Sequence, residues 1–312
     1  MNKNIIKTAF IYDEIFTCHD TPAWHPESPI RVEYLVDFLR KTDVWNNLIQ
    51  LKPQRASFED IALVHGVDYI KHIMSIEKGS LDSETFISPH TFTSCLYAIG
   101  AIKEAVHHIK SGNIKRAFCP VRPPGHHAEA DIGMGFCIFN NVAVGARYAQ
   151  TQGFKKVLIV DFDAHHGNGT QHIFEEDDTV FYFSTHQFPY YPDTGKETER
   201  GKGKGEGYTY NVTIRVGSGD KDFIYVYQDI FPDVVRRFNP DLILVSAGYD
   251  IHYMDQHSDL RVTCEGVRAM VQGILGSADV PFIFVLEGGY DYISLSKSIR
   301  NTLEEMLTYS YI

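Results

Sequence analysis

Six short runs of consecutive, largely apolar residues constrain this chain most: 7–12, 116–121, 156–163, 179–184, 242–247 and 280–286. Continuous apolarity over such lengths reads as strands covered on both faces, because a strand with one wet face would alternate with a period of two. Helical periodicity fills the spaces between them. Phe92, Cys95, Leu96, Ile99, Ile102, Val106 and Ile109 recur at intervals of three and four and would line one face of a helix. Ser28-Pro29 ahead of Val32, Leu35, Val36 and Leu39 reads as a capped helix start with proline in its first turn, which leaves 18–27 as a loop. Strands alternating with helices mean an α/β fold: three layers, with a central, mostly parallel sheet between helices.

The 312 residues are 44% apolar by type and carry no long Pro-, Ser- or charge-rich stretch, so residues 1–312 read as a single domain with a sizeable core. Lys and Arg number 29 against 40 Asp and Glu, and the net charge of -11 argues against nucleic-acid binding while suiting a cationic substrate. Cys18, Cys95, Cys119, Cys137 and Cys264 are odd in number and lack paired spacing, so free thiols in a reducing compartment are expected. The apolar run near the start is too short for a secretion signal, and nowhere do about eighteen apolar residues follow one another. A cytoplasmic protein with no membrane partner is the expectation. Residues 201–207 read GKGKGEG, but no GK[ST] follows and no strand leads directly into them, so a surface loop is a better reading than a phosphate loop.

Unusual polar residues gather where four of the strands end. The run at 116–121 leads into RPPGHH (122–127), and that at 156–160 into DFDAHHGNG (161–169). The run at 242–247 leads into Gly248-Tyr249-Asp250, and the last into EGGY (287–290). Carboxyl ends of parallel strands share one edge of the sheet, where ligands bind, so these segments are expected to converge. Asp163 and His165, two apart in an extended stretch, would leave the backbone on the same side. With Asp250 they make a three-ligand set that leaves a metal one open position, and the metal's charge would make two buried aspartates tolerable. Adjacent histidines alone are weak signals. His107-His108 fall off the apolar face of a helix and read as surface residues, whereas His126-His127 follow a strand and a Pro-Pro-Gly turn.

Taken together, RPPGHHA (122–128), MGFCIFNNVA (134–143), DFDAHHGNGTQ (161–171), SAGYD (246–250) and EGGY closely resemble the zinc-dependent histone deacetylases, of the arginase and deacetylase fold group. HPESPIR (25–31), LVHGVDY (63–69) and DSETFISP (82–89) extend the resemblance over nearly the whole chain. Asn168 is similar to the class II pattern, which bacterial deacetylase-like amidohydrolases and acetylpolyamine amidohydrolases largely share.

The resemblance implies a deacetylase with one zinc per chain, acting on acylated lysine in proteins or peptides, with acetylated polyamines as the alternative substrate. It matches Asp163, His165 and Asp250 to the zinc ligands, His126 and His127 to tandem catalytic histidines, and Tyr290 to a transition-state tyrosine. Asp161 and Asn168 match the partners of those histidines. Gly135, Phe136 and Tyr191 match the lining of an acyl-lysine tunnel, with Tyr191 where phenylalanine is usual. Asp82 matches a rim aspartate, and His257 falls where polyamine-selective relatives carry an acidic gatekeeper. The family also binds potassium, for which Asp161 and Ser184 match an inner site and Phe174, Asp177, Val180 and Tyr210 an outer one. Two other readings are an arginase-like binuclear hydrolase, for which a second ligand set is not evident, and a non-catalytic acetyl-lysine binder, against which His126, His127 and Tyr290 count. Cys137 reads as a small buried residue.

Overall fold

The structure is a computed structural model that describes residues 5–309 and Tyr311. Its strands are β1 (Thr8–Ile11), β2 (Ile49–Leu51), β3 (Gly79–Ser80), β4 (Phe86–Ile87), β5 (Arg116–Cys119), β6 (Val157–Asp161), β7 (Val180–Gln187), β8 (Thr209–Ile214), β9 (Leu242–Ala247) and β10 (Phe282–Leu286). Eight of them form one sheet in the order β2-β1-β5-β10-β9-β6-β7-β8, with every neighbouring pair parallel. The six apolar runs are its interior strands. β2 and β8 lie at the edges and carry Gln50 or Thr209, Asn211 and Thr213, so continuous apolarity does not mark them.

Each apolar run serves two faces in alternation. Phe118, Leu158, Val160, Ile243, Val245, Phe282 and Phe284 pack on one side against the helices Ile30–Leu39, Phe231–Phe238, Cys264–Gly276 and Tyr292–Thr308. Ala117, Cys119, Val157, Ile159, Leu242, Leu244, Ile283 and Val285 pack on the other against the helices Thr91–Lys110 and Asn141–Thr151. The strands that carry the polar motifs, β5, β10, β9 and β6, are neighbours at the centre of the sheet. Their carboxyl ends therefore meet.

The helix Ile30–Leu39 begins directly after Pro29, close to the expected start, but Pro29 is its N-cap residue and no side chain caps it. The five cysteines are free thiols. His107 is exposed and His108 is half-buried against Glu104. Among the described residues no helix is long and apolar enough to cross a membrane.

A charged cluster with no solvent access anchors the layer ahead of that helix. Glu27, Arg31 and Arg122 are all 0% exposed. Glu27 takes Arg122 Nη2 at 2.8 Å and Arg31 Nη1 at 2.9 Å, and Arg122 Nε also donates to it. The remaining guanidinium N–H groups go to backbone carbonyls: Arg122 Nη1 to Phe16, Arg31 Nε to Gly289 and Arg31 Nη2 to Glu287. Arg31 thereby fixes the chain just beyond β10. Burial alone would push the Glu27 carboxyl up, but the two guanidiniums outweigh it and hold it well below the usual range.

Removing the carboxylate charge leaves two buried cations uncompensated, so Glu27→Gln is expected to cost about 3–5 kcal/mol in urea unfolding at neutral pH. The charge's contribution is complete above the unfolded glutamate pKa of about 4.3 and is lost as the pH falls from there through the depressed folded value. The gap between wild type and variant should therefore narrow in acid; equal stabilities at pH 7 would contradict this account.

Candidate active site

β6 stops at Asp161, two residues short of the strand expected from the sequence. Asp161 Oδ1 accepts the N–H of Asp163 at 3.1 Å, and Asp163 Oδ1 accepts the N–H of His165 at 2.9 Å. Two successive aspartate side-chain turns, rather than strand alternation, thus swing Asp163 and His165 onto one point. Asp250 reaches the same point from beyond β9. His165 Nδ1 lies 3.1 Å from Asp163 Oδ1 and 3.0 Å from Asp250 Oδ2.

Backbone N–H groups orient both carboxylates: Gly288 N donates to Asp163 Oδ2 at 2.8 Å and Ala164 N to Asp250 Oδ1 at 3.0 Å. Gly288 is required by close approach, since a Cβ there would sit 2.5 Å from Asp250 Oδ2 and 2.6 Å from Asp163 Oδ2. One imidazole N–H cannot neutralise two carboxylates that have no solvent. Burial and the charge of Asp163 accordingly push the Asp250 carboxyl up. Two carboxylate oxygens and one imidazole nitrogen, with ligand atoms within 4.8 Å of one another, fit a metal ion of the zinc type.

His126 and His127 lie beside this cluster with ring centres 4.0 Å apart and opposite surroundings. His126 Nδ1 meets Asp161 Oδ2 at 3.1 Å, an oxygen that also accepts the Tyr182 hydroxyl at 3.0 Å. Burial opposes a charge on His126, but Asp163 and Asp161 outweigh it and lift its pKa to about 10. His127 Nδ1 meets Asn168 Oδ1 at 2.8 Å. Burial, reinforced by His126 and His165, holds His127 well below the ordinary histidine value. The Asn168 amide can face only one way, because its Nδ2 donates to Glu129 Oε1 at 2.6 Å and that carboxylate oxygen only accepts. Asn168 Oδ1 is then an acceptor, Nδ1 of His127 carries the proton, and Nε2 is a lone pair.

A cavity of about 300 Å³ opens onto these groups, lined among others by His165, Phe136, Tyr191, His257, Tyr290 and Glu84. Phe136 holds φ at 70°, a left-handed conformation rare outside glycine, and its N–H is fixed by the Thr85 hydroxyl at 3.1 Å. Gly135 ahead of it, also left-handed, lies so close to His127 that a Cβ would come within 2.6 Å of the ring. Tyr191 is 40% exposed at the mouth, with its ring 5.2 Å from that of His127. Tyr290 lies under the Arg31 guanidinium at 4.8 Å and beside His257 at 4.4 Å. Burial holds its phenol well above the ordinary value of 10.0, so it keeps its proton at neutral pH.

The rim, gatekeeper and potassium residues matched from the sequence lie as follows. Asp82 is exposed and outside the cavity lining, its Oδ1 closing its own turn by accepting Glu84 N at 2.8 Å and Thr85 N at 2.6 Å, while Glu84 lines the mouth. His257 lines the cavity but is tied through Nδ1 to Asp255 at 3.2 Å. Of the residues matched to potassium, Ser184 pairs with His186 Nδ1 at 2.9 Å, the Asp177 carboxylate is held by Arg147 and Thr179, and the Phe174 carbonyl takes Asp177 N. Val180 and Tyr210 sit on the neighbouring strands β7 and β8.

Two residues that sequence reasoning passed over also shape the site. Buried Glu287 accepts Gly125 N at 2.7 Å, His126 N at 3.2 Å and the Ser246 hydroxyl at 2.9 Å, tying the histidine loop to β9 and β10. Its signal was the E of EGGY. Asp255 accepts Tyr290 N at 2.6 Å, and nothing in its sequence neighbourhood flags it.

Comparison with known proteins agrees with this geometry. The histone deacetylase domain profile matches residues 25–306. A probable deacetylase of Archaeoglobus fulgidus is 39% identical over 91% of this chain and 81% of its own length. The mouse (Mus musculus) polyamine deacetylase HDAC10 is 33% identical over 96% of this chain, which spans 48% of that protein. The crystal structure of an HDA15 HD domain superposes with a TM-score of 0.93 at 34% identity, over 96% of this chain and 88% of that one. With motif, fold and profile in agreement over nearly all its length, the chain belongs to the histone deacetylase family of amide-bond hydrolases.

Proposed function

We propose that the chain is a zinc-dependent amidohydrolase that removes acetyl or related acyl groups from lysine side chains of proteins or peptides and releases the free acid. The observation that carries this reading is the fixed tautomer of His127, whose bare Nε2 belongs to a ring lining the cavity between the Asp163, His165 and Asp250 cluster and Tyr290. Those three residues would hold a zinc ion, which would supply Lewis-acid chemistry to the substrate carbonyl and to the attacking water.

The chain's own groups do the rest. His127 Nε2 takes a proton from the attacking water and hands it to the departing amine, without which the tetrahedral adduct reverts. His126, steadied by Asp161 and Tyr182, contributes positive potential beside the reacting carbon. Tyr290 keeps its proton and donates it in a hydrogen bond to the developing oxyanion. Phe136 and Tyr191 are aromatic walls for an alkyl chain.

Acyl-lysine is favoured over polyamine because, among the described residues, the only carboxylate lining the cavity is that of Glu84. Asp255, outside the lining, is occupied by the N–H groups of Tyr290, Asp291 and His257 and by the His257 ring. Glu84 at the mouth remains to accept substrate N–H groups. Similarity to a polyamine deacetylase keeps that substrate as the second reading.

Acetate release from an acetyl-lysine peptide, measured beside N-acetylputrescine with and without chelator, tests the proposal. Turnover of the peptide exceeding that of the polyamine, abolished by chelator and restored by zinc, is expected. Binding without product, or turnover indifferent to chelator, would refute it. Tyr290→Phe removes one oxygen and is expected to lower kcat by roughly two to three powers of ten with fold and zinc content unchanged. Near-normal turnover in that variant would remove Tyr290 from the mechanism.

A further inference from the structure

The edge of the sheet opposite the active site carries a second cavity, of about 310 Å³, at the amino ends of β6, β7 and β8. Phe181, Tyr208 and Phe238 form its aromatic wall, with ring centres 5.4 to 6.1 Å apart. Lys156, Arg200 and Arg237 also line it, and among the described residues none that lines it is acidic. In a chain of net charge -11, three cations and no anion around one hollow is a marked local inversion.

The three cations are not equivalent. Lys156 Nζ is committed to the Phe238 carbonyl at 3.1 Å and lies 5.3 Å from the Phe238 ring centre, so it helps to build the wall. Arg200 and Arg237 are exposed, and among the described residues neither has an ion-pair partner nor donates a side-chain hydrogen bond. The adjacent Arg236, by contrast, pairs with Asp233 at 2.9 Å. The GKGKGEG segment explains how Arg200 arrives here. Gly207 N donates to the Arg200 carbonyl at 2.6 Å and Tyr208 N to that of Gly205 at 2.9 Å, closing the loop so that Arg200 and Tyr208 border the same hollow. The segment is thus a surface loop, as the sequence reading has it, and its closure forms one side of the cavity.

Two free, planar guanidinium forks can each engage two oxygens of a phosphate or carboxylate, and three rings tilted at 54° to 79° to one another offer an apolar aromatic surface against which a heterocycle can pack. The volume lies at the lower end of the small-molecule range. We propose that this cavity binds a small aromatic phosphate, a ligand of the mononucleotide class, with the phosphate on Arg200 and Arg237 and the ring against Phe181, Tyr208 and Phe238. The site is separate from the hydrolytic centre, since Phe181 is near the start of β7 whereas the catalytic groups lie beyond the other ends of the strands.

Calorimetric titration of the zinc-loaded full chain with AMP, adenosine and inorganic phosphate tests this. Wild type is compared with Arg200→Gln and Arg237→Gln, both exposed positions where a retained melting temperature verifies folding. Saturable AMP binding with Kd below about 1 mM is expected, with adenosine and phosphate each at least about tenfold weaker and each arginine substitution costing about tenfold. Turnover of an acetyl-lysine peptide should be unchanged in both variants. AMP binding that fails to saturate, that survives both substitutions, or that inorganic phosphate alone equals in affinity would overturn the proposal.

Discussion

Two carboxylates without access to water, converging on a single imidazole nitrogen, are the constraint around which this protein is arranged. An isolated buried carboxylate is severely destabilised, and a like charge beside it worsens the penalty. Asp163 and Asp250 nevertheless occupy such positions, each with one oxygen fixed by a backbone N–H and another turned toward His165. A cation at that point converts mutual repulsion into shared attraction, and the zinc reading follows from this electrostatic need as much as from ligand type. Such an ion also takes up part of the carboxylate field that acts on His126, leaving Asp161 as that ring's own partner.

The surroundings serve to hold this unfavourable arrangement in place. Four adjacent strands end at the cluster, and Gly288 lets the chain after β10 pass directly against both aspartates. Arg31 grips the carbonyls on either side of Gly288 while Glu27 and Arg122 balance its charge, so a cluster remote in sequence sets the position of Tyr290. Glu287 does the same for the histidine loop from the other side. Two neighbouring imidazoles are then shifted in opposite directions, His126 upward by the carboxylates it faces and His127 downward by burial and by the charges of His126 and His165.

Much of this was legible in the sequence wherever a signal was local. The interior strands announce themselves because burial on both faces demands unbroken apolarity, and the polar motifs stand out against those runs. Edge strands with one partner have no such demand, which is why β2 and β8 pass unmarked. The convergence of Asp163 and His165 was expected, but its cause was not: side-chain turns that end β6 early are invisible to a period-of-two argument. Asp82 and Glu84 are two apart, and only the turn that Asp82 closes decides which of them faces the cavity. Glu27, at the end of a stretch that reads as a loop, and Arg31, in the helix that follows, belong to the HPESPIR match, but the contacts of Arg31 with residues 287 and 289 and of Glu27 with Arg122 are encoded by no local pattern.

Anomalous diffraction at the zinc edge, from crystals of the chain grown with zinc, addresses the central constraint most directly. A single peak within about 2.0–2.2 Å of one oxygen from each of Asp163 and Asp250 and of His165 Nδ1, with a coordination position open to the cavity, is the expected result. A map with no peak between the two carboxylates, or with the ion wholly enclosed by protein atoms, would contradict it.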